Sequence, residues 1–210
     1  MRIGALVRSY GLTHYLPAVL RSYAWVDKVV VMNYRFTGVK TRADNTPEIA
    51  SGFKNVVLKA GENLDQHEVF NVGLREFDGF DYVFIADADE LLTRQDQLKL
   101  IKDLPGHDAG ICKIIDYVDT LTERLPERTH KAIVIVRPSV RFYEVRCYAG
   151  NIKSFEDVFM HHFGYVYQPE ALMWKMDWEK KWEQGNVKHL LGQVHQPCQV
   201  PTEIMDLING

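Results

Sequence analysis

Three carboxylates follow one short apolar segment, and they are the clearest sign of chemistry in this chain. The segment is Tyr82 to Ala86, and the carboxylates are Asp87, Asp89 and Glu90. An apolar run without alternation indicates a strand that is buried on both faces. Because side chains two residues apart on a strand point the same way, we expect Asp87 and Asp89 to share one hard cation and Glu90 to point away.

Such a pair of aspartates suits a particular kind of catalysis. Mg²⁺ and Mn²⁺ take oxygen ligands, commonly one or two carboxylates together with substrate phosphates and water. A cation placed there supplies Lewis-acid help to a departing diphosphate. The structural alternative is that these acidic residues cap a helix beginning near Leu91-Leu92-Thr93.

Strand and helix patterns alternate through the first half of the chain, which predicts an α/β domain with a mostly parallel central sheet flanked by helices. The last 15 or so residues show no clear periodicity, and we expect a domain over 1–165 with a helical C-terminal extension, 166–210, packed on it. The predicted strands are Ile3–Val7, Lys28–Met32, Asn55–Leu58, Tyr82–Ala86, Ala109–Val118, Ala132–Val136 and Glu156–Phe163, and the predicted helices are one capped by Thr13, one over Phe70–Phe77, one over Gln97–Leu104 and one over Pro169–Gln184.

Composition narrows the function classes. The chain has 210 residues, of which 46% are hydrophobic, and a formal net charge of -3, so it has a substantial core and no basic footprint for nucleic acid. Cys112, Cys147 and Cys198 are odd in number and widely spaced, which argues against a disulfide scaffold or a zinc site. With no signal peptide and no run of roughly 20 apolar residues, we expect a soluble, cytoplasmic protein.

Two longer segments carry a family resemblance. The segments 70–76, Phe-Asn-Val-Gly-Leu-Arg-Glu, and 81–90, Asp-Tyr-Val-Phe-Ile-Ala-Asp-Ala-Asp-Glu, resemble the core of glycosyltransferase family 2, with its Asn-X-Gly-Leu helix and its strand ending in Asp-X-Asp. The opening segments Ala5–Tyr10 and Val29–Met32 are similar to the first βαβ unit of that family. The resemblance covers residues 1–95 closely and 95–165 loosely. It implies a GT-A (Rossmann-like) fold, a nucleoside-diphosphate sugar donor, Mn²⁺ or Mg²⁺, and inversion at the anomeric carbon.

The resemblance also suggests which residues contact the donor, for which a UDP-sugar is the first expectation. Arg8 and Tyr10 end the first strand and could approach the nucleotide, and Asp87 would serve the diphosphate through the metal. Asn33 stands where family members commonly carry an acidic pair that contacts the base or ribose. Asp65 is a second candidate contact, and its alternative is an ordinary solvated loop acid.

Inverting transfer needs a general base to take the proton of the acceptor hydroxyl. Asp157 is the first candidate, with its neighbour Glu156, because they precede an apolar segment that carries histidines. Glu144 and Asp116 are rivals, and for each of the four a plain surface carboxylate is the competing interpretation.

Met160-His161-His162-Phe163-Gly164-Tyr165 is a second distinctive segment. Adjacent histidines on an extended chain face opposite sides, so they should not serve one metal. His162, Gly164 and Tyr165 match a His-X-Gly/Ser-Tyr element found late in some family 2 members, which implies that His162 completes the metal shell or touches the diphosphate. The alternative is a histidine that is hydrogen-bonded between the sheet and the C-terminal helix.

Trp174, Trp178 and Trp182 form one stripe at helical spacing, flanked by lysines. The stripe could dock on the core, contact an acceptor sugar or a second subunit, or rest on an anionic membrane surface where lipid-linked acceptors lie. The sequence does not choose among these roles.

Three rival functions remain for comparison. A nucleotidyltransferase would use a similar sheet and metal but a Gly-rich loop after the first strand, which Val7–Gly11 is not. An aspartyl phosphotransferase would need a carboxylate where Arg8-Ser9 stand. A catalytically degenerate sugar-binding or scaffolding relative would keep the fold without turnover. Short transferases of this type often serve polysaccharide or lipopolysaccharide assembly, by analogy at the level of the family.

Overall fold

The computed structural model describes residues 1–11, 13–36, 44–118, 120–125, 131–166 and 196–210. Within them the strands are β1 (Ile3–Ser9), β2 (Lys28–Phe36), β3 (Val56–Leu64), β4 (Tyr82–Asp87), β5 (Glu90–Leu91), β6 (Ala109–Val118), β7 (Thr120–Arg124), β8 (Lys131–Val136), β9 (Ile152–Tyr165) and β10 (Gln196–Pro197). The helices are α1 (Leu16–Ser22), α2 (Thr46–Ser51), α3 (Gln66–Leu74, continued by a 3-10 turn, Arg75–Phe77), α4 (Arg94–Asp103) and α5 (Thr202–Asn209).

One mixed sheet runs through the molecule in the order β10-β7-β6-β8-β4-β1-β2-β3, with β9 beside β6 and β5 beside β9. Strands β3, β2, β1 and β4 are parallel neighbours, joined by crossovers that contain helices. Strand β8 then runs antiparallel to both β4 and β6. The predicted α/β class with a mostly parallel central sheet is confirmed.

Apolar residues cover both faces of the sheet, as the unbroken apolar runs of the inner strands predict. Helices α1, α4 and α5 pack on one face, around residues such as Phe84 and Leu20. Helix α3 covers the other face, where Phe70 and Phe77 are fully buried. The sheet is therefore held between two layers of core.

Several boundaries differ from the predictions. Helix α1 has Tyr15 rather than Thr13 at its N-cap, so the predicted cap is wrong. Helix α4 begins earlier than predicted because the Thr93 hydroxyl accepts a hydrogen bond from the Asp96 amide, at 3.1 Å. A residue that forms such a cap determines where a helix begins more sharply than apolar spacing does.

The C-terminal residues hold a helix that their sequence did not indicate. Ile204 of α5 is fully buried, and Arg21 of α1 donates to the carbonyl oxygen of Leu207. Packing on α1 thus stabilises a segment too short to form a helix by itself. The helix predicted over Pro169–Gln184 lies outside the described residues, as do Trp174, Trp178 and Trp182.

No helix among the described residues is long and apolar enough to cross a membrane. Cys112, Cys147 and Cys198 are free thiols.

Candidate functional site

Three strand registers bring the polar residues of the site together. Arg8 on β1 lies directly opposite Asp87 on β4, since the two residues are Cα partners in that parallel pair. His162 on β9 is the partner of Asp116 on β6 and of Glu90 on β5. The carboxyl ends of β1, β2 and β4 meet at this edge, which is where ligands bind in open α/β sheets.

Asp87 is bound by an arginine from the neighbouring strand. Arg8 donates from Nε to Asp87 Oδ1 at 2.7 Å and from Nη2 to Oδ2 at 2.6 Å. The remaining Arg8 nitrogen, Nη1, donates to Gln66 Oε1 at 2.8 Å. A two-pronged arginine–carboxylate pair is strong and fixes orientation, so Asp87 is held with little freedom to move.

Glu90 is bound by a second arginine, which comes from a distant loop. Arg146 donates from Nη1 to Glu90 Oε1 at 2.9 Å and from Nη2 to Glu90 Oε2, and it also lies 3.3 Å from Asp87 Oδ2. The Asp87 amide donates to Glu90 Oε2 at 2.7 Å, so the chain folds back on itself after β4. The prediction that Glu90 points away is wrong, because the strand ends at Asp87 and its alternation does not continue through the turn.

Arg146 reaches the site in a strained conformation. It lies in a tight turn between Tyr143 and Cys147, with a φ of 54°, a region that side-chain-bearing residues rarely adopt. Its side chain is only 8% exposed, and its guanidinium carbon is 5.6 Å from the centre of the Phe70 ring, on which Arg8 also stacks at 4.8 Å. Such strain persists only where the surrounding structure imposes it. Here the ion pairs of Arg146 with Glu90 and Asp87 hold the turn in place.

The charges in this cluster shift one another's protonation. Burial alone would raise the pKa of Asp87, but Arg8 and Arg146 outweigh it and hold that pKa below its usual range. Burial raises the pKa of Glu90, although Arg146 acts in the opposite direction. The same carboxylates, against the effect of burial, raise the pKa of Arg146 further above its usual value, so this guanidinium is always charged.

A second group centres on His162. Its Nδ1 lies 2.6 Å from Asp116 Oδ1 and its Nε2 lies 3.8 Å from Asp89 Oδ2. Because a carboxylate accepts hydrogen bonds, Nδ1 carries the proton in the neutral ring and Nε2 presents a lone pair toward Asp89. The side chains of Asp89 and Asp116 are 10% and 8% exposed, so both negative charges are largely removed from water.

These residues fit a divalent cation in part. Asp89 Oδ2 and His162 Nε2 both carry lone pairs and face each other. This arrangement is favourable when a cation lies between the two atoms. The carboxylate of Asp116 behind His162 is the usual outer partner of a metal-binding histidine. Within the described ranges no three His, Cys, Asp or Glu side chains are arranged to hold a metal by themselves, so phosphate and water oxygens would complete the shell. Asp87 is engaged by Arg8, and its direct metal role stays a prediction.

The two predicted base residues lie elsewhere on β9. Asp157 is paired with Lys99 and Glu156 with Lys131, and their side chains are 68% and 63% exposed. A hydrogen bond from Lys99 lowers the pKa of Asp157. Four residues separate Asp157 from His162, and Phe159, which follows Asp157, is still three strand steps, or roughly 10 Å, from His162. Of the rivals, Glu144 is exposed in the turn that carries Arg146, and Asp116 is in the cluster.

The predicted nucleotide contacts are spread along the sheet edge. Asn33 lies within β2 beside Ser9, the last residue of β1, and is 9% exposed, with its Oδ1 buried and without a hydrogen-bond partner. Asp65 is exposed at the N-cap of α3, where its backbone amide donates a hydrogen bond to Glu68 Oε2 at 2.9 Å. Tyr10 follows β1 and is half-buried. The nucleotide roles of these residues stay predictions.

Sequence reasoning missed two residues of the site. Glu90 carried a signal, since it belongs to the same acidic run as Asp87 and Asp89. Arg146 carried none, because it is 56 residues from Glu90 in the chain and lies in no periodic element.

The fold matches solved structures of transferases. Staphylococcus aureus TarS, a GT-A glycosyltransferase, matches with a TM-score of 0.51 and 17% identity over 82% of this chain, and its complex with UDP-GlcNAc matches with a TM-score of 0.52 and 16% identity over 78%. This chain spans 38% of the first TarS structure and 59% of the second. HddC from Yersinia pseudotuberculosis, a nucleotidyltransferase complexed with GMP-PN, matches with a TM-score of 0.53 and 12% identity, over 86% of this chain and 100% of that one.

At these low identities the TM-scores show a shared fold alone, and the chain therefore has a fold of the GT-A type. No family profile and no curated protein matches the chain in sequence.

Proposed function

We propose that this protein is an inverting glycosyltransferase that moves a sugar from a nucleoside-diphosphate sugar to an acceptor hydroxyl with the help of Mn²⁺ or Mg²⁺. The observation that carries the proposal is the pair formed by Asp89 Oδ2 and His162 Nε2, 3.8 Å apart at the carboxyl edge of the sheet. Enzymes with related folds bind UDP-GlcNAc, UDP and GMP-PN at low sequence identity, which supports a nucleotide donor for this chain.

The proposed metal ligands are Asp89 and His162, with Asp116 orienting the imidazole. A bound cation would act as a Lewis acid on the diphosphate leaving group. Asp116 keeps the proton of His162 on Nδ1, and this leaves Nε2 as the ligand atom. Asp87 has a different proposed part, since it holds Arg8 in place at the mouth of the donor site.

The transfer needs a general base that takes the proton of the acceptor hydroxyl. Asp157 remains the first candidate, but Lys99 must release it before it can take a proton. We expect Asp157→Asn to lower kcat by at least about 100-fold if it is the base. If Asp157→Asn keeps its activity, the base is another carboxylate, and Asp116 is the next to test.

The first test is a thermal-shift panel of nucleoside diphosphates and their sugars, each with and without Mn²⁺. A ligand that binds only the folded protein raises its melting temperature in proportion to the logarithm of concentration over Kd. We expect a Mn²⁺-dependent shift for one nucleotide, first of all UDP, that is lost in Asp89→Ala and kept in the matched control Asp78→Ala, whose carboxylate is exposed. The absence of any shift across the panel would favour a degenerate scaffolding protein.

A second candidate function is nucleotidyl transfer, which the match to HddC favours. The products separate the two reactions, because glycosyl transfer releases a nucleoside diphosphate whereas nucleotidyl transfer releases pyrophosphate. Release of a nucleoside diphosphate from a nucleotide sugar, dependent on Asp89, is expected. Pyrophosphate release from a nucleoside triphosphate and a sugar phosphate would overturn the glycosyltransferase proposal.

A further inference from the structure

A cavity lies on the face of β9 that is opposite to His162. Its volume is about 380 Å³, within the range of small-molecule sites. We call it the Arg124 cavity. Its lining comes from the start of α4, from β6, β7 and β9, and from the segment before α5: Thr93, Gln95, Asp96, Ile115, Tyr117, Arg124, Phe159, His161, Cys198, Gln199 and Pro201.

This cavity is separate from the site around Asp89. Neighbouring residues on a strand face opposite sides of the sheet, so His161 lines the cavity while His162 faces Asp116 and Asp89. On the cavity side, the Tyr117 hydroxyl lies 2.8 Å from His161 Nδ1 and the two rings stack at 5.8 Å. Both residues are at most 4% exposed, so they form a rigid wall.

Arg124 is the residue that points to a ligand. Its Nε is buried and has no hydrogen-bond acceptor, and within the described part of the chain it forms no ion pair. Arg124 lines the cavity together with Tyr117 and Cys198. A buried donor without an acceptor is costly, and a guanidinium stays protonated in proteins, so the site favours a ligand whose acceptor carries a negative charge.

The other lining residues indicate which kind of molecule carries the anionic group. Gln95, Gln199 and the Asp96 carboxylate offer acceptors that hydroxyl groups can use, and Asp96 is not paired with Arg124 among the described residues. Phe159, which is half-buried, contributes aromatic surface of the kind that packs on a sugar ring. A ligand with several hydroxyls and one negative group satisfies both halves of the lining.

We propose that the Arg124 cavity binds an anionic sugar, with its carboxylate or phosphate group on Arg124 and its hydroxyls on Asp96, Gln95 and Gln199. This site is distinct from the proposed donor site and does not depend on the reaction catalysed there. A glycan-modifying protein would gain from it a second contact with a charged saccharide.

The test is a set of titrations of the full chain followed by ¹H–¹⁵N NMR, with D-glucuronate, glucose 6-phosphate, glucose and inorganic phosphate as separate probes. Glucuronate and glucose 6-phosphate distinguish the two anionic groups, and we expect one of them to bind with shifts at His161 and Arg124. Loss of a charge-assisted hydrogen bond weakens binding by roughly 10- to 100-fold, so Arg124→Gln should weaken it to that extent. The exposed Arg75→Gln is the matched control and should bind normally.

A second variant covers the case in which Arg124→Gln fails to fold. Gln199 is exposed, so Gln199→Trp should leave the core intact while its indole fills the cavity mouth and blocks binding. Binding that survives both variants, or no binding of either anionic sugar, would overturn the proposal. Equal affinity for inorganic phosphate alone would mean an adventitious ion only. A nucleotide-dependent thermal shift kept in both variants would show that the donor site is unaffected.

Discussion

Replacing Arg146 by Met tests whether Arg146 and Glu90 form a buried ion pair that stabilises the fold. Arg146 is 8% exposed and contacts Glu90, itself 6% exposed, with Nη1 2.9 Å from Glu90 Oε1. After the substitution Asp87 keeps both hydrogen bonds from Arg8, whereas Glu90, among the described residues, keeps only the hydrogen bond from the Asp87 amide. Glu90 therefore becomes a buried carboxylate without a counter-ion.

Removing one partner of a buried ion pair costs about 3–5 kcal/mol, which is a large part of the roughly 5–15 kcal/mol that stabilises a folded protein. For a chain of this size that loss corresponds to a fall in Tm of roughly 6–20 °C. The measurement is urea unfolding at pH 7 of the wild type and Arg146→Met. Arg141→Met, an exposed arginine of the same loop, is the control and should cost no more than about 1 kcal/mol.

A double-mutant cycle and a change of pH make the test specific to Glu90. Arg146→Met with Glu90→Gln should recover at least half of the loss, because the orphaned charge is gone. Burial raises the pKa of Glu90 in the folded state, so the folded variant binds the proton more tightly than the unfolded chain does. Its deficit should therefore shrink as the pH falls toward the unfolded value of about 4.3. A loss below 1 kcal/mol, or no recovery in the double variant, would refute the buried-pair reasoning.

Three further predictions concern other parts of the molecule. Burial lowers the pKa of His161 to about 4, whereas in the unfolded chain the ring binds a proton below about 6.5. Between pH 7 and pH 4 the free energy of unfolding, measured in urea, should therefore fall by about 3 kcal/mol more for the wild type than for His161→Gln. Parallel pH curves would contradict this. Asp116→Asn should weaken Mn²⁺ binding by about 10- to 100-fold in calorimetric titrations, and unchanged affinity would remove Asp116 from the metal site. A Cβ on Gly4 would overlap the buried Phe77 ring, so Gly4→Ala should lower the free energy of unfolding by about 1–3 kcal/mol. The control Gly52→Ala should be nearly neutral. Equal stabilities of the two variants would show that the Phe77 ring moves aside freely.

Local pattern was sufficient for most of the sheet. The apolar runs predicted strands close to β1, β4 and β8, because a strand buried on both faces needs an unbroken apolar sequence. Helix α5 was not predicted from the local sequence pattern. Its eight residues depend on contacts with α1, among them the bond from Arg21 to the Leu207 carbonyl oxygen, rather than on a strong pattern of their own.

The sequence by itself determined that carboxylates stand at the end of a buried strand, since Asp87, Asp89 and Glu90 directly follow the apolar run. It did not determine their partners. Arg8 is 79 residues from Asp87 and meets it only through the β1–β4 register, and Arg146 reaches Glu90 from a strained turn 56 residues away. Periodicity reports which face of an element is buried, but the pairing of strands and the path of a returning loop depend on the packing of the whole chain. The tertiary structure alone therefore decided that Asp87 and Glu90 bind arginines and that Asp89 faces His162.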